Sequence, residues 1–201
     1  MAENYYVIAD IHGCRELLDK ALEWIYDQQE GGEIIFLGDY IDRGPDSLGV
    51  LRTLITSPKS GWNFTCLMGN HEEACIDYDR KNYNDLELSW MSKLPLYHIV
   101  DDNIFVHADW KEEWNKTPPK KLSGKWELSN EDIMLYNRRK TGFKHPTLYL
   151  TYGHTPHKNA PYFMENCVNL DAGAVFFGEL LIGVYERGVR GPVNFMRITN
   201  E

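Results

Sequence analysis

The sequence has few cysteines, fewer basic than acidic residues, and no long apolar run. Its four cysteines form no C-x-x-C pair, which argues against a structural zinc site and a disulfide framework. Free thiols in a reducing cytoplasm are the favoured interpretation. The N-terminal residues lack a basic segment followed by an apolar one, so no signal peptide is expected. No stretch approaches the ~18 apolar residues of a membrane helix. We therefore expect a cytoplasmic protein with no membrane partner.

The charge balance bears on the kind of partner. Lys and Arg total 21 against 30 Asp and Glu, a formal net charge of -9. Nucleic-acid binding through phosphates needs basic patches, so no such surface is expected, although a locally positive cleft can still bind one phosphate. The hydrophobic fraction of 43% allows a sizeable core, and no repeat or linker is visible. A single domain over residues 1–201 is the simplest organisation.

Apolar runs alternate with amphipathic segments in the first half of the chain. The runs at 5–9, 34–37 and 64–68 predict buried strands. Apolar residues at helical spacing predict helices over 15–29 and 48–55. This alternation predicts parallel strands and an α/β fold.

The second half predicts shorter elements. A hairpin is expected from 94–100 and 104–106, followed by a long surface loop over 109–125 that contains Pro118 and Pro119. A short helix ending at Tyr136 has Asn130 as its expected N-cap. A strand at 147–152 follows, and we expect three further strands to form an antiparallel closing segment, at 167–170, 180–185 and 194–198.

Several predicted strands end in side chains that can bind metal, often beside a glycine. In an open α/β sheet, ligands gather at the carboxyl ends of the strands. We therefore expect one site built from Asp10, His12, Asp39, Asn70, His71, His107 and His154. This mixture suits Mn²⁺, Fe²⁺ or Zn²⁺ and is too rich in imidazole for a dedicated Ca²⁺ or Mg²⁺ site. One such Asp or His alone would be an ordinary turn or surface residue. Their shared position makes metal binding the favoured interpretation.

Five segments resemble the motifs of a known family. The three signature motifs of the phosphoprotein phosphatases, which belong to the calcineurin-like metallophosphoesterases, are similar to Asp10-Ile11-His12-Gly13, Gly38-Asp39-Tyr40-Ile41-Asp42-Arg43-Gly44 and Gly69-Asn70-His71-Glu72. The two later motifs of the family match His107-Ala108 and Gly153-His154. The short length resembles the compact bacterial and bacteriophage lambda type protein phosphatases. The resemblance implies a four-layer α/β sandwich of two mixed β-sheets flanked by helices.

The resemblance also implies a two-metal mechanism with assigned ligands. A hydroxide held between the two ions attacks phosphorus in line. The expected ions are Mn²⁺, with Fe²⁺ or Zn²⁺ as alternatives. Asn70 is implied to bind both a metal ion and the substrate phosphate. The implied metal ligands are Asp10 and His12 for the first ion, Asp39 for both ions, and Asn70, His107 and His154 for the second.

The remaining roles concern the leaving group and the phosphate. His71 protonates the leaving oxygen and Asp42 orients it. Arg43 binds the phosphate through its planar guanidinium group. A second phosphate arginine is expected before the last histidine motif. Arg138 is the candidate and Arg139 the alternative, although the family usually has tryptophan where this chain has Tyr136.

Three further acidic residues and one histidine are not expected to bind metal. Glu72 is expected to be a residue of a helix N-terminus rather than a ligand. Asp109 and Asp171 are expected to be structural. His157 is one residue out of phase with the second histidine of many phosphodiesterases, which favours the phosphatase branch.

The sequence leaves the substrate open. The complete motifs favour a protein serine/threonine phosphatase acting on phosphorylated proteins. Protein phosphatases usually have arginine where Met68 stands, and diadenosine tetraphosphatase-type hydrolases usually have an aliphatic residue, so this second type of substrate stays open. Small phosphate esters and short polyphosphates share the same chemistry. A non-catalytic scaffold is disfavoured because no expected catalytic residue is missing. The segment 77–93 and the loop 110–126 are expected to govern substrate choice. Trp110, Trp114 and Trp126 either line a substrate groove or pack within that loop.

Overall fold

The computed structural model describes residues 4–56, 58–115 and 128–200. Its strands are β1 (Asn4–Ile8), β2 (Gly32–Phe36), β3 (Trp62–Cys66), β4 (Tyr97–Val100), β5 (Asn103–Val106), β6 (Tyr149–Tyr152), β7 (Tyr162–Met164), β8 (Cys167–Asn169), β9 (Glu179–Glu186) and β10 (Asn194–Thr199). Its α-helices are α1 (Arg15–Gln28), α2 (Ser47–Ile55), α3 (Asn70–Tyr78), α4 (Asp85–Met91), α5 (Leu128–Tyr136) and α6 (Ala174–Phe177). Short 3₁₀ turns occur at Arg80–Asn82 and Glu112–Asn115.

The strands form two five-stranded mixed sheets. The first sheet has the order β10-β9-β1-β2-β3 and the second the order β4-β5-β6-β8-β7. Strands β1, β2 and β3 run parallel, as the alternating first half predicts, and β9 and β10 add antiparallel strands beside β1. In the second sheet β5, β6 and β8 are parallel, between antiparallel edge strands β4 and β7.

The prediction of one antiparallel closing segment is wrong for its first strand. Strand β8 pairs parallel with β6 in the second sheet, whereas β9 and β10 lie in the first sheet. A short apolar run identifies a buried strand but carries no information about which sheet it joins. All three residues of β8 are buried, as expected for an inner strand of a covered sheet.

The two sheets pack face to face, and helices cover their outer faces. Along β1, Tyr5 and Val7 point between the sheets, while Tyr6 and Ile8 join the cluster that contains the apolar face of α1. The Tyr5 ring centroid lies 6.0 Å from that of Phe105 on β5, which marks the sheet-to-sheet contact. The outer face of the second sheet packs with α5 and its flanking segments, through Ile104, Leu150, Trp110, Met134 and Phe143. This arrangement confirms the expected sandwich.

The sequence did not predict α4, β7 or α6. Helix α5 begins at Leu128, so Asn130 lies inside it rather than at its N-cap. The expected surface loop is wrong at Trp110 and Trp114, which are buried in the core because their rings pack against neighbouring apolar side chains. Residues 116–125 and Trp126 lie outside the described residues. The four cysteines are unpaired, as expected. Among the described helices, none combines the length and apolar character needed to cross a membrane.

Candidate metal centre

The residues expected to bind metal come together where strands of both sheets end. Asp39 belongs to two groups of side chains, one with His12 and His71 and one with His107 and His154, and within each group the potential ligand atoms lie within 4.8 Å of one another. Asp39 therefore has the position expected of a ligand shared by two ions. The residues follow the fold directly: Asp10 and His12 after β1, Asp39 after β2, Asn70 and His71 at the start of α3, His107 after β5, and His154 after β6.

The backbone at this site is unusual. Non-glycine residues rarely adopt a left-handed backbone, and each such residue costs about 1–3 kcal/mol. The surrounding structure holds them, since the carbonyl of Asp39 accepts hydrogen bonds from the N–H groups of Ile11 and His12. Left-handed φ angles occur at His12 (47°), Asp39 (56°), Asp42 (67°), Arg43 (67°) and His154 (66°).

Three imidazole rings are oriented by backbone carbonyls. A carbonyl only accepts, so the ring nitrogen that faces it carries the proton, and the other nitrogen presents its lone pair to the site. Burial lowers the pKa of His12 and of His154 to about 4 and also lowers the pKa of His107, which keeps all three rings neutral. The carbonyl contacts are His12 Nδ1 with Ile41 (2.9 Å), His107 Nδ1 with Leu37 (2.9 Å), and His154 with Tyr136.

Lone pairs converge at the centre of the site. The Nε2 atom of His107 lies 3.1 Å from Nδ1 of His154, and both lie near Oδ1 of Asn70, at 3.0 and 2.9 Å. Asp39 Oδ1 is 3.5 Å from the same His107 nitrogen. With both ring protons engaged elsewhere, these atoms face one another as acceptors. A cation satisfies such a set, so these residues fit a divalent metal ion.

The buried carboxylate of Asp10 also fits a metal ion, because a bound cation would offset the negative charge that burial disfavours. Burial, together with the negative charges of Asp171 and Asp39, raises the pKa of Asp10 well above its usual value. Both carboxylate oxygens of Asp10 accept the N–H of His154, at 3.0 and 2.9 Å, and Asp10 lies outside both groups that share Asp39. A Cβ on Gly153 would lie 2.2 Å from Asp10 Oδ2, so only glycine leaves room for that carboxylate.

Two expected catalytic residues contact each other, and a third reaches the metal ligands. His71 Nδ1 lies 2.6 Å from Asp42 Oδ2, and His71 also belongs to the group with His12 and Asp39. The Nη1 atom of Arg43 lies 2.5 Å from Nε2 of His12. The guanidinium group therefore points into the site, where a phosphate bound to the metals would meet it.

The structure separates the two candidate arginines. Arg139 forms an ion pair with Asp109 at 2.6 Å and donates to the carbonyls of Trp110 (2.8 Å) and Gly142 (3.0 Å). These contacts give both residues a structural role. Arg138 is exposed, and its charge contributes to the lowered pKa of His154. This arrangement favours Arg138 as the second phosphate arginine.

Glu72 has a larger role than the sequence indicated. Its fully buried carboxylate accepts four backbone N–H groups, from Asp39 (2.8 Å), Tyr40 (2.8 Å), Gly69 (3.0 Å) and Ile41 (3.3 Å). It therefore joins the start of α3 to the loop that carries Asp39. The local signal was the glutamate three residues after Gly69, typical of a capping box, but its reach to Asp39 had no signal in the sequence.

Asp171 and His157 complete the surroundings of the site. Asp171 forms the expected turn by accepting the N–H of Gly173 at 2.9 Å. It is also buried beside Asp10, which the sequence did not reveal. The ring of His157 stacks on Tyr162 with centroids 4.3 Å apart, and it belongs to neither of the two ligand groups.

This fold and this cluster of ligands define a metallophosphoesterase. Residues 4–179 match the family described as Calcineurin-like phosphoesterase, and the chain belongs to that family. The resemblance seen in the motifs is thereby confirmed.

The relatives include two kinds of enzyme. A Bis(5'-nucleosyl)-tetraphosphatase PrpE [asymmetrical] of Anoxybacillus flavithermus is 28% identical, with 88% of each chain covered. Serine/threonine-protein phosphatase 1 of Salmonella typhimurium is also 28% identical, covering 89% of this chain and 90% of its own length.

Two solved structures show the same fold. One is titled as a putative diadenosine tetraphosphatase, with a TM-score of 0.66, 18% identity, and coverage of 100% of this chain and 96% of its own. The other is a protein serine/threonine phosphatase of Saccharomyces cerevisiae, with a TM-score of 0.65, 14% identity, and coverage of 100% and 81%. At these identities the likeness concerns the fold alone.

Proposed function

We propose that the chain hydrolyses phosphate esters or anhydrides with two divalent metal ions. The observation that carries this proposal is the position of Asp39, which belongs to both groups of potential ligands. Neutral imidazoles together with carboxylate and amide oxygens suit Mn²⁺, and Fe²⁺ or Zn²⁺ are the alternatives. As the motifs imply, Asp10 and His12 would hold the first ion, Asp39 would be shared by both, and Asn70, His107 and His154 would hold the second.

The side chains around the metals have separate tasks. Bound ions supply an activated water and offset the negative charge of the phosphate. Arg43 and Arg138 bind phosphate oxygens, with Asn70 beside them. The Nδ1–H of His71 donates to Asp42, so the proton that His71 gives to the leaving oxygen is held at Nε2. A positioned acid of this kind contributes about 10²–10⁴-fold to the rate.

A dinucleoside polyphosphate is the substrate that we favour. Met68 is buried in the core cluster, so this position offers no cation of the kind that protein phosphatases use there. The PrpE relatives, named as tetraphosphatases, support the same choice. A phosphoserine or phosphothreonine protein is the second candidate, supported by the complete motifs and by the Salmonella relative.

The test begins with metal removal. Chelated protein is reloaded with Mn²⁺, Fe²⁺ or Zn²⁺, and turnover is measured on diadenosine tetraphosphate, a phosphothreonine peptide and phenyl phosphate. We expect metal-dependent turnover fastest on the dinucleotide and two ions per chain by elemental analysis. The Asp39→Asn variant should lose both bound ions and turnover.

The possible outcomes distinguish a wrong choice of substrate from a wrong choice of reaction. Faster turnover of the phosphopeptide would keep the metal chemistry and replace the favoured substrate by the second candidate. Metal-loaded protein that leaves all three compounds intact would overturn the proposal, and so would full turnover without metal.

A further inference from the structure

Helix α6 presents two neighbouring phenylalanines to solvent. Phe176 is 55% exposed and Phe177 45% exposed, although phenylalanine usually lies in the core. The single turn is held in place, because glycines with left-handed φ angles stand at both ends and Phe176 donates its N–H to Gly173 at 2.9 Å. The two rings are therefore displayed by a defined piece of backbone.

The two rings have different surroundings. The Phe177 ring packs over Gly173, where an added Cβ would lie 2.6 Å from it. The Phe176 ring instead has the Arg43 guanidinium carbon 5.6 Å from its centroid, within cation–π range. Because Arg43 also reaches His12 at 2.5 Å, one guanidinium group separates the Phe176 ring from the candidate metal ligands.

That position suits a planar group attached to a phosphate. In a nucleotide, one ribose separates the base from its phosphate, so a ring that stacks on the base must lie close to the group that binds the phosphate. A phenyl face gains most from another flat π-system. A peptide backbone next to a phosphoserine offers only the small plane of an amide group.

We propose that Phe176 determines specificity by stacking against the nucleobase of a nucleoside phosphate whose phosphate lies at Arg43 and the metal centre. The inference rests on the proposed function for its phosphate site and names the chemical class of the group beyond it. Phe176 would contact the base and not the reacting atoms, so replacing it should change the binding affinity for the nucleotide.

The test compares AMP with ribose 5-phosphate, which differ by the base alone. Calorimetric titration of the Mn²⁺-loaded protein measures both affinities, with no turnover required. We expect AMP to bind about tenfold more tightly, the gain typical of one stacked base. Phe176→Leu should remove most of that preference, while Phe176→Tyr, which keeps the ring, should retain it. The matched control is Phe163→Leu, a residue 53% exposed on β7 that packs edge-on against Phe195 and should keep the wild-type ratio.

Three results would overturn the inference. In the first, the wild type binds AMP and ribose 5-phosphate equally. In the second, Phe176→Leu keeps the preference for AMP. The third is an equal loss for both ligands in Phe176→Leu, which would mean that the ring acts only through Arg43. Failure of the proposed function looks different, because a protein that hydrolyses no phosphate compound can still show, or lack, a Phe176-dependent preference for the base.

Discussion

His71, in the first turn of α3, and Asp42, in the loop after β2, meet with Nδ1 of the imidazole 2.6 Å from a carboxylate oxygen. Asp42 follows β2 in a left-handed conformation, and its N–H donates to the Ser47 hydroxyl at 2.9 Å. His71 is held through its own N–H, which donates to Asp39 Oδ1 at 3.0 Å. The ring that is proposed to donate the proton is thus tied to the proposed shared metal ligand, which fixes its place relative to the phosphate.

The first prediction concerns the leaving group. We expect His71→Asn to lower kcat about 10²–10⁴-fold on an unactivated phosphate ester, because an alkoxide leaves poorly without a proton. On a phenyl phosphate with an activated leaving group the loss should be much smaller. Asp42→Asn should show the same pattern more weakly, because it orients the acid without donating. Steady-state kinetics on both esters provide the measurement.

His98→Asn serves as the control for these variants. His98 lies on β4 and pairs with Glu33 at 3.2 Å, away from the metal ligands. It should leave the ratio of the two rates unchanged. Equal losses on both esters in His71→Asn would contradict a role as acid and would indicate a role in holding the site together.

The second prediction separates Arg138 from Arg139. We expect Arg138→Gln to raise KM for the phosphate substrate with little change in Tm, because Arg138 is exposed. Arg139→Gln should instead lower the unfolding free energy by about 3–5 kcal/mol, because it leaves the buried Asp109 carboxylate without its ion pair. Thermal unfolding and kinetics on the two purified variants test this contrast. The reverse pattern would reassign the phosphate role to Arg139.

The sequence predicted the site better than it predicted the path of the chain around it. Asp10, Asp39 and His107 stand within two residues of the ends of apolar runs, and strands end at a common edge, so their convergence could be expected. Sheet membership of β8 could not, because it depends on long-range pairing. The left-handed backbone at Asp39 could not be expected either, because even aspartate adopts a positive φ at only a small share of positions.

The third prediction concerns Glu72. Replacing it with Gln sets an amide NH₂ against backbone N–H groups that now find a carboxylate oxygen. We expect the unfolding free energy to fall by about 2 kcal/mol, and metal affinity to fall about 10–100-fold because the Asp39 loop loses its anchor. Denaturant unfolding and metal titration measure the two effects.

Glu73→Gln is the matched control for Glu72→Gln. Glu73 is the next residue of α3, and it accepts a hydrogen bond from the Tyr136 hydroxyl near the surface. Its replacement should cost less than about 1 kcal/mol and leave metal affinity unchanged. If Glu72→Gln bound metal as tightly as the wild type, the anchoring role would be refuted.

The fourth prediction concerns stability in acid. It rests on Glu33, which lies at the end of the first sheet opposite the metal ligands. Glu33 accepts hydrogen bonds from His98, from Thr65 at 2.9 Å and from Arg187 at 2.7 Å. These partners, with the His98 hydrogen bond first, lower the pKa of Glu33 to about 2, against the opposing effect of burial. In the unfolded chain the same carboxyl titrates near its usual 4.5. The unfolded state therefore binds the proton first as the pH falls, and the stabilisation from Glu33 is present above pH 4.5 and lost towards pH 2.

Glu33→Gln should accordingly lower the unfolding free energy by about 2 kcal/mol at pH 7, a value reduced from the full shift because the ion pair with Arg187 is partly solvated. The difference from wild type should shrink between pH 4.5 and pH 2, because protonation then removes the same charge from the wild type. Urea unfolding at several pH values measures it, and Glu23→Gln on the exposed face of α1 controls for the loss of one charge. A difference that stayed constant down to pH 2 would show that Glu33 stabilises the fold through its shape rather than through its charge.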